Sequence, residues 1–416
     1  MPEDARISRV IFDYASRIGR AAGADALLQL NAAMARDLVG ADRCSIWLID
    51  ARSNQLWTKV AHGVRELRIP AGEGVIGACI AANQPVVVND ASQDARFDRK
   101  VDQETGYRTH SLLALPLRGA DGSVIGALQA LNKPGGFEEQ DVDLLGLAAA
   151  YSASAIETQM LRQRAEIARL LERELEIARG VQERLFPQQL PARRGWDLAA
   201  RCRPAQAVGG DYYDFLPLPG GELLFTLGDV SGKGIAAAVL MASIQASIRS
   251  QALRPPPSLA ALVEDFNRAV FSLSTAEKYS TLFCGWLDPA MRRLTYVNAG
   301  QVPPVLIRAG GPAERLEEGG APVGLFAAAR YQQAVVELAQ GDVVACFSDG
   351  ISEAANAQDE MWSEEQFIAL LQQSSHLNAA EILAALIEGA DAFAAGAEQA
   401  DDMTVVVLKA APEGRV

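Results

Sequence analysis

Apolar and polar residues along this chain follow two periods, and the places where the period changes mark its organisation. Between Leu27 and Leu38 apolar residues recur at helical spacing; a strand-like run from Cys44 to Ile49, a polar turn at Asp50 to Asn54 and a return run from Leu56 to Ala61 follow. Leu112 to Leu117 and Val124 to Leu131 flank Gly119-Ala120-Asp121-Gly122, a hairpin signal of the Asp-Gly type. A helix is predicted from Glu139 to about Glu157, with Val142, Leu145, Ala149 and Ile156 near one face. These elements predict one α+β domain with an antiparallel sheet over residues 1–157.

From Glu157 to Arg184 there is no proline, a single glycine, and a rich supply of Glu, Arg, Leu and Ala, which predicts a long helix. Heptads counted from Leu161 put Leu161, Ala168, Leu175 and Gln182 at a, and Arg164, Leu171, Ala178 and Leu185 at d. Six of these eight are apolar, so residues 158–192 read as a helical coiled-coil linker that pairs two copies of the chain. The same pattern also fits an amphipathic helix packed on its own following domain. Pro187 and Pro191 end it.

Residues 193–416 alternate as a β-sandwich flanked by helices would. Strands are predicted at Leu223–Leu227, Thr281–Trp286, Arg293–Asn298, Val305–Arg308, Val335–Glu337, Val343–Phe347 and Thr404–Leu408. Helices are predicted at Ile235–Ala252, Leu259–Leu273, Ser363–Gln373 and Ala379–Phe393. The fold class is thus α+β and multidomain, ending in an α-β-β-α sandwich.

Composition narrows the picture. With 416 residues, 49% hydrophobic and 22% charged, the chain has ample core for two or three domains. A net charge of -14 without basic patches argues against nucleic acid as the main partner. Five dispersed cysteines, Cys44, Cys79, Cys202, Cys284 and Cys346, fit buried thiols in a reducing compartment. Met1 to Arg17 has no signal-peptide core, and no run reaches the roughly 18 apolar residues of a spanning helix. The expectation is a soluble, cytoplasmic protein that does not enter a membrane.

The candidate chemistry lies in four aspartates, each in a short motif with glycine or a second acid beside it. They are Asp211 in Gly209-Gly210-Asp211-Tyr212-Tyr213-Asp214, Asp229 in Gly228-Asp229-Val230-Ser231-Gly232-Lys233-Gly234, Asp349 in Ser348-Asp349-Gly350, and Asp401 in Asp401-Asp402-Met403-Thr404. Each stands where an apolar run meets a turn, so a sheet can gather all four at one edge. Such a cluster repels itself unless hard divalent cations, Mg²⁺ or Mn²⁺, sit among the carboxylates; two such ions about 4 Å apart form a phosphoryl-transfer site.

In order and wording the four motifs resemble the SpoIIE-type branch of the metal-dependent protein phosphatases, over about residues 178–411. The resemblance implies that Asp229 bridges two metal ions, with the Val230 carbonyl as a further ligand and Asp211 serving the second ion directly or through water. It also implies that Asp349 and Asp401 hold the first ion, while a hydroxide formed from the bridging water attacks a phosphate ester in line. Either Asp401 or Asp402 is the direct ligand. Asp401 is favoured, because the superfamily's aspartate-asparagine pair puts the ligand first, which leaves Asp402 behind it; Asp214 is assigned a supporting role.

Many eukaryotic members carry a histidine two residues after the bridging aspartate; this chain has Ser231 there. Its three histidines, His62, His110 and His376, lie in no motif, which leaves protonation of the leaving group to metal-bound water or to no dedicated group. Two look-alikes are set aside. The diguanylate cyclase signature is interrupted at Tyr212-Tyr213, and the phosphate-binding loop that Gly228 to Gly234 brushes against is one residue short and lacks a hydroxyl after Lys233. Asn298-Ala299-Gly300-Gln301 matches a strand-to-turn segment of the family in which histidine commonly stands in place of Gln301, and it is read as a turn.

Ile69 to Gly77, Gln84 to Asp90 and Ser111 to Pro116 together resemble a GAF domain over about residues 22–158. That resemblance implies a small-ligand pocket under the polar segment Ala91 to His110. Cyclic-nucleotide-binding members carry a motif that Asn132-Lys133, Phe137 and Asp141 match, with Val142 in place of its glutamate. A structural Lys133–Asp141 ion pair is the favoured reading over a cyclic-nucleotide site, and the ligand stays unidentified. Taken together, these features give a GAF sensor (1–157), a helical transmitter (158–192) and a Mn²⁺- or Mg²⁺-dependent phosphoserine/phosphothreonine phosphatase (193–416). The resemblance implies a phosphorylated STAS-domain anti-sigma-factor antagonist as substrate and a homodimer through the GAF domain and linker helix. The alternative is a non-catalytic GAF dimer acting as a ligand-responsive scaffold.

Overall fold

The computed structural model describes residues 3–21, 23–50, 52–58, 67–99, 102–103, 106–253, 258–273 and 278–412. Two compact units divide the chain, Met1–Leu170 and Leu171–Val416. The cut falls inside one 45-residue helix, α4 (Glu139–Glu183), so the two predicted stretches of helix are continuous in the backbone.

The first unit is built on an antiparallel sheet ordered β3-β2-β1-β6-β5-β4, where β1 is Arg43–Asp50, β2 Gln55–Thr58, β3 Leu67–Pro70, β4 Val86–Val88, β5 Leu112–Arg118 and β6 Val124–Leu131. Period-two alternation sorts β1 between two cores. Ile46 and Leu48 face a core shared with α1 (Glu3–Ile18), α2 (Ala24–Val39) and Leu145, Ala149 and Ile156 of α4. Trp47 faces the opposite side, against Ile76 of α3 (Gly74–Ala82). The hairpin from β5 to β6 closes at Asp121-Gly122, where Gly122 adopts φ 81°. The last residues of the predicted return strand, 59–61, and His62 lie outside the described residues.

Two sheets form the second unit. One runs β14-β11-β10-β9-β8 with β15 on β11, and the other β13-β12-β16-β17-β7, where β11 is Arg293–Ala299, β12 Val305–Ile307, β13 Ala313–Arg315, β14 Gly319–Gly320 and β15 Ala334–Glu337. The strands that place the site are β7 (Trp196–Arg203), β8 (Tyr212–Pro217), β9 (Leu223–Val230), β10 (Ser280–Asp288), β16 (Val343–Phe347) and β17 (Met403–Ala410). Phe215, Phe225, Phe283 and Leu227 from the first sheet share one buried core with Val344, Cys346, Val406 and Leu408 from the second. On the outer face of the first sheet, Leu224, Val230 and Leu282 pack with α5 (Ile235–Ala252) and α6 (Leu259–Leu273). On that of the second, Val343, Ala345, Val405 and Val407 pack with α8 (Glu364–Ser374) and α9 (Ala379–Ala394); a short α7 (Asp349–Ser352) follows β16.

The end of α4 departs from the counted seam at two positions. Gln182, read as an a position, is 6% exposed and bonded to Gly209 in its own unit, and Leu185 packs beside the α5–α6 core. Leu161 and Leu171 of the counted seam are exposed, as are Leu147, Tyr151, Met160, Ile167, Leu170, Ile177 and Val181. Gln182 and Leu185 thus pack on the chain's own second unit, while the exposed Leu161 and Leu171 stay open to a partner helix.

Candidate active site

Strand parity explains how motifs up to 193 residues apart in sequence meet. Tyr213 and Phe215 of β8 point between the sheets, and Asp211, two residues earlier, shares their face. Asp229 keeps the parity of Leu223, Phe225 and Leu227 on β9, and Thr404 that of Val406 and Leu408 on β17. Because β8 and β9 are antiparallel, as are β16 and β17, the start of β8, the end of β9, the end of β16 and the start of β17 share one edge. Across that edge the Thr404 hydroxyl donates to Asp211 Oδ2 at 2.6 Å and joins the two sheets.

Glycines let the backbone close in. A Cβ on Gly350 would come within 2.1 Å of the Asp402 carbonyl, and one on Gly210 within 2.8 Å of the Val230 carbonyl. The Asp-Gly and Gly-Asp pairs of the motifs are therefore steric requirements of the gathered edge as well as turn residues.

The carboxylates divide by their partners. Asp402 is buried and committed to the loop before β8: its Oδ1 accepts from Ala205 N–H at 2.8 Å and its Oδ2 from Gly210 N–H at 2.7 Å. Asp401 accepts Asp402 N–H at 2.8 Å on Oδ1 and meets Lys233 Nζ at 2.9 Å on Oδ2, with its side chain 37% exposed. Burial, then the neighbouring Asp401, raises the Asp349 carboxyl above its usual range. The Asp229 carboxyl is pushed up to about 7 by burial and then by Asp349, Asp401 and Asp402. Asp211 is driven well above the carboxylate range by burial and then by Asp229, although Thr404 and Ser348 donate to it. Glu353, just beyond α7, is raised by burial and then by Asp349 and Asp401, so it belongs to the same field.

Asp214 is of another kind. It lies on the opposite face of β8, 1% exposed, and Arg249 of α5 grips it with two bonds at 2.6 and 3.1 Å. This is a scaffold ion pair.

For hard cations the donor chemistry fits: several oxygens converge, each making its neighbours harder to ionise. Among the described residues, however, no three His, Cys, Asp or Glu side chains are grouped closely enough to hold a metal ion. Asp401 is turned to Lys233, whose Nζ lies 2.9 Å from its Oδ2.

Sequence reasoning left several side chains without a role. Thr404 stood in a quoted motif but was given none. Gln182 fastens the end of α4 to the Gly-Gly-Asp turn, donating to Gly209 O at 2.7 Å and accepting from Gly209 N–H at 3.1 Å; a polar residue at a heptad a position was its signal. Lys278 donates to the Ser231 carbonyl at 3.0 Å. Gln301 is more than a turn residue: buried at 5%, it accepts from the Thr281 hydroxyl of one sheet and donates to the Phe347 carbonyl of the other at 3.1 Å. His110 and His376 are exposed and in none of these contacts, and the Ser231 hydroxyl accepts Tyr279 N–H at 3.1 Å.

Residues 24–156 match the family model of the GAF domain, and residues 219–411 that of Stage II sporulation protein E (SpoIIE). The chain joins a GAF domain to a SpoIIE domain. The SpoIIE match takes in Asp229, Asp349, Asp401 and Asp402 and begins after Asp211, which the fold nevertheless brings to Asp229. In fold, the chain is similar to the SiaA-PP2C domain of Pseudomonas aeruginosa, with a TM-score of 0.53 and 21% identity over 59% of this chain and 99% of that one. Protein IcfG of Synechocystis sp. is 23% identical over 300 residues, 66% of this chain and 47% of its own length. The dual 3',5'-cyclic-AMP and -GMP phosphodiesterase 11A of Takifugu rubripes is 34% identical over 140 residues, 30% of this chain and 16% of its own. The chain thus spans about half or less of the length of these curated relatives.

Within the GAF domain, a cavity opens between β1, β6, the start of α3 and the segment that carries Phe97 and Tyr107; Ser45, Trp47 and Gln129 line it. Lys133 and Asp141 are not among its lining residues, and Lys133 Nζ lies 2.6 Å from both Asp141 oxygens. Among the described residues no helix is long and apolar enough to cross a membrane.

Proposed function

We propose that the chain is a signal-regulated, divalent-cation-dependent phosphoserine/phosphothreonine protein phosphatase. The observation that carries this reading is the convergence of Asp211, Asp229, Asp349 and Asp401 from four strand ends into one field that raises the carboxyls of Asp211, Asp229 and Asp349. A scaffold gains nothing from such a self-repelling edge, whereas a site for Mn²⁺ or Mg²⁺ requires it. Asp211, Asp229, Asp349, Asp401 and the Val230 carbonyl would hold the cations. Bound cations would supply Lewis acidity toward the phosphoryl oxygens and an ionised water at neutral pH.

The chain's own residues do the rest. Thr404 orients Asp211, Asp402 fixes the Gly210 turn behind it, and Gln182 ties that turn to α4. Among the described residues no histidine stands by the cluster to protonate an alkoxide, so the site depends on accurate placement of an alkyl phosphate. Ile235 and Val239, exposed one turn apart directly after the Gly234 loop, offer an apolar surface beside the site for a folded substrate. A phosphorylated STAS-domain antagonist of an anti-sigma factor is the substrate proposed. The exposed Leu161, Ala168 and Leu171 supply the seam for a homodimeric coiled coil in the cytoplasm, and the GAF cavity takes a small regulatory ligand, with a cyclic nucleotide among those to test.

The test compares hydrolysis of a folded phospho-STAS protein from the same genome with that of a short peptide carrying its phosphoserine. The folded substrate should be dephosphorylated far faster; equal rates would remove the docking argument, and no action on any phospho-STAS protein would remove the substrate assignment.

A further inference from the structure

Lys233 occupies the loop between β9 and α5, flanked by Gly232 at φ 92° and Gly234 at φ 74°. Its Nζ lies 2.9 Å from Asp401 Oδ2 and donates to the Ala400 carbonyl at 2.7 Å. The ammonium also acts on Asp349, whose carboxyl it pulls down against the rise set by burial and Asp401. A cation of the protein's own thus stands against the carboxylate edge.

We propose that Lys233 is a counter-cation built into the site, exchanging places with a divalent cation: the Lys233–Asp401 ion pair and cation binding by Asp401 exclude each other. The inference rests on the reading of Asp401 as a cation ligand. Oxygen ligands approach Mg²⁺ at about 2.0–2.1 Å, and with Asp401 Oδ1 already accepting Asp402 N–H, the free approach is to Oδ2. An ammonium held 2.9 Å from that same oxygen would be left beside a doubly charged ion. Lys233 is able to leave. Its side chain is 48% exposed, and the two glycines give its loop backbone conformations closed to other residues. Lys233 then sets the affinity of the site by competing for it, and steadies the crowded carboxylates until a cation arrives.

Calorimetric titration of Mn²⁺ into the full chain tests this with wild type, K233M and K233R. K233M removes the competing charge but keeps the length of the side chain, so it should bind Mn²⁺ about two- to fivefold more tightly, the range set by an exposed ion pair. K233R keeps the charge and should bind as wild type does or more weakly. With chelator at pH 8, K233M should also unfold at lower urea than wild type, and K233R should not. Unchanged or weaker Mn²⁺ binding by K233M, with wild type binding normally, would overturn the exchange and leave the cation site standing. No uptake of Mn²⁺ by wild type would overturn both.

Discussion

Asp141 in the GAF domain and Asp229 in the SpoIIE domain are both carboxylates drawn out of water, but their surroundings are opposite. Asp141, 3% exposed, accepts from Lys133 on both oxygens and from Glu138 N–H at 2.9 Å. Asp229 faces other carboxylates and is pushed up to about 7. A buried acid with a fixed cation holds a fold together; buried acids that face one another cost stability and are retained for what they bind. Around the start of β8 the same contrast separates Asp214, gripped by Arg249, from Asp211, three residues earlier.

The sharpest way to break this contrast is to neutralise one member of each kind. Asp229→Asn should lower Mn²⁺-dependent hydrolysis of an aryl phosphate by at least about a hundredfold, the several kcal/mol that a lost metal contact costs. In the presence of chelator the same variant should melt no lower than wild type, because a repulsion has been relieved. Steady-state rates and melting curves read the two halves.

Acidity gives the next effect. With cations removed, folded Asp229 keeps its proton up to about pH 7, while in the unfolded chain it is released near 3.8. Between those values the folded state binds more protons, so this group's contribution to stability is greatest below about pH 4 and falls as pH rises toward 7. From this group the loss should reach about 2–4 kcal/mol. Urea midpoints measured in chelator from pH 5 to 8 should decline, and Asp229→Asn should flatten that decline.

In the GAF domain the sign reverses. Lys133→Met strands a buried carboxylate, and the GAF unfolding transition should lose about 1–3 kcal/mol, less than a fully buried pair because Lys133 is 26% exposed. Metal-dependent hydrolysis should stay near wild type. The smallest effect belongs to Gln182→Ala, which leaves the Gly209 N–H and carbonyl without their side-chain partner. It should cost about 1 kcal/mol and raise the Mn²⁺ concentration for half-maximal activity, since the Asp211 turn loses its anchor.

Much of the scaffold was legible because long periodic segments announce themselves. The helices Ile235–Ala252 and Leu259–Leu273 fall at the predicted bounds. Helix α1 was passed over even though Ile7, Ile11, Tyr14 and Ile18 recur at helical spacing, since that stretch was weighed only as a possible leader. Strand β7 was missed because Arg201 and Arg203 blur its alternation, and β8 because Tyr212 to Pro217 overlaps a motif read for its chemistry. The aspartates were readable from their flanking glycines. Thr404 and Gln182 were not, because their roles lie in bonds to Asp211 and Gly209 across 193 and 27 residues, which no local pattern encodes. Gln182 and Leu185 were counted on a coiled-coil seam for a related reason: one spacing serves two faces of a helix, and packing shows that the chain keeps these two for itself.

The central claim is that the carboxylate edge works through divalent cations, and metal-dependent turnover of a generic aryl phosphate by the full chain tests it most directly. Activity should be absent in chelator, rise with added Mn²⁺ or Mg²⁺, and be missing from Asp229→Asn at every cation concentration. Hydrolysis that persists in chelator, or a wild-type chain that stays inert at saturating Mn²⁺ and Mg²⁺, would contradict it.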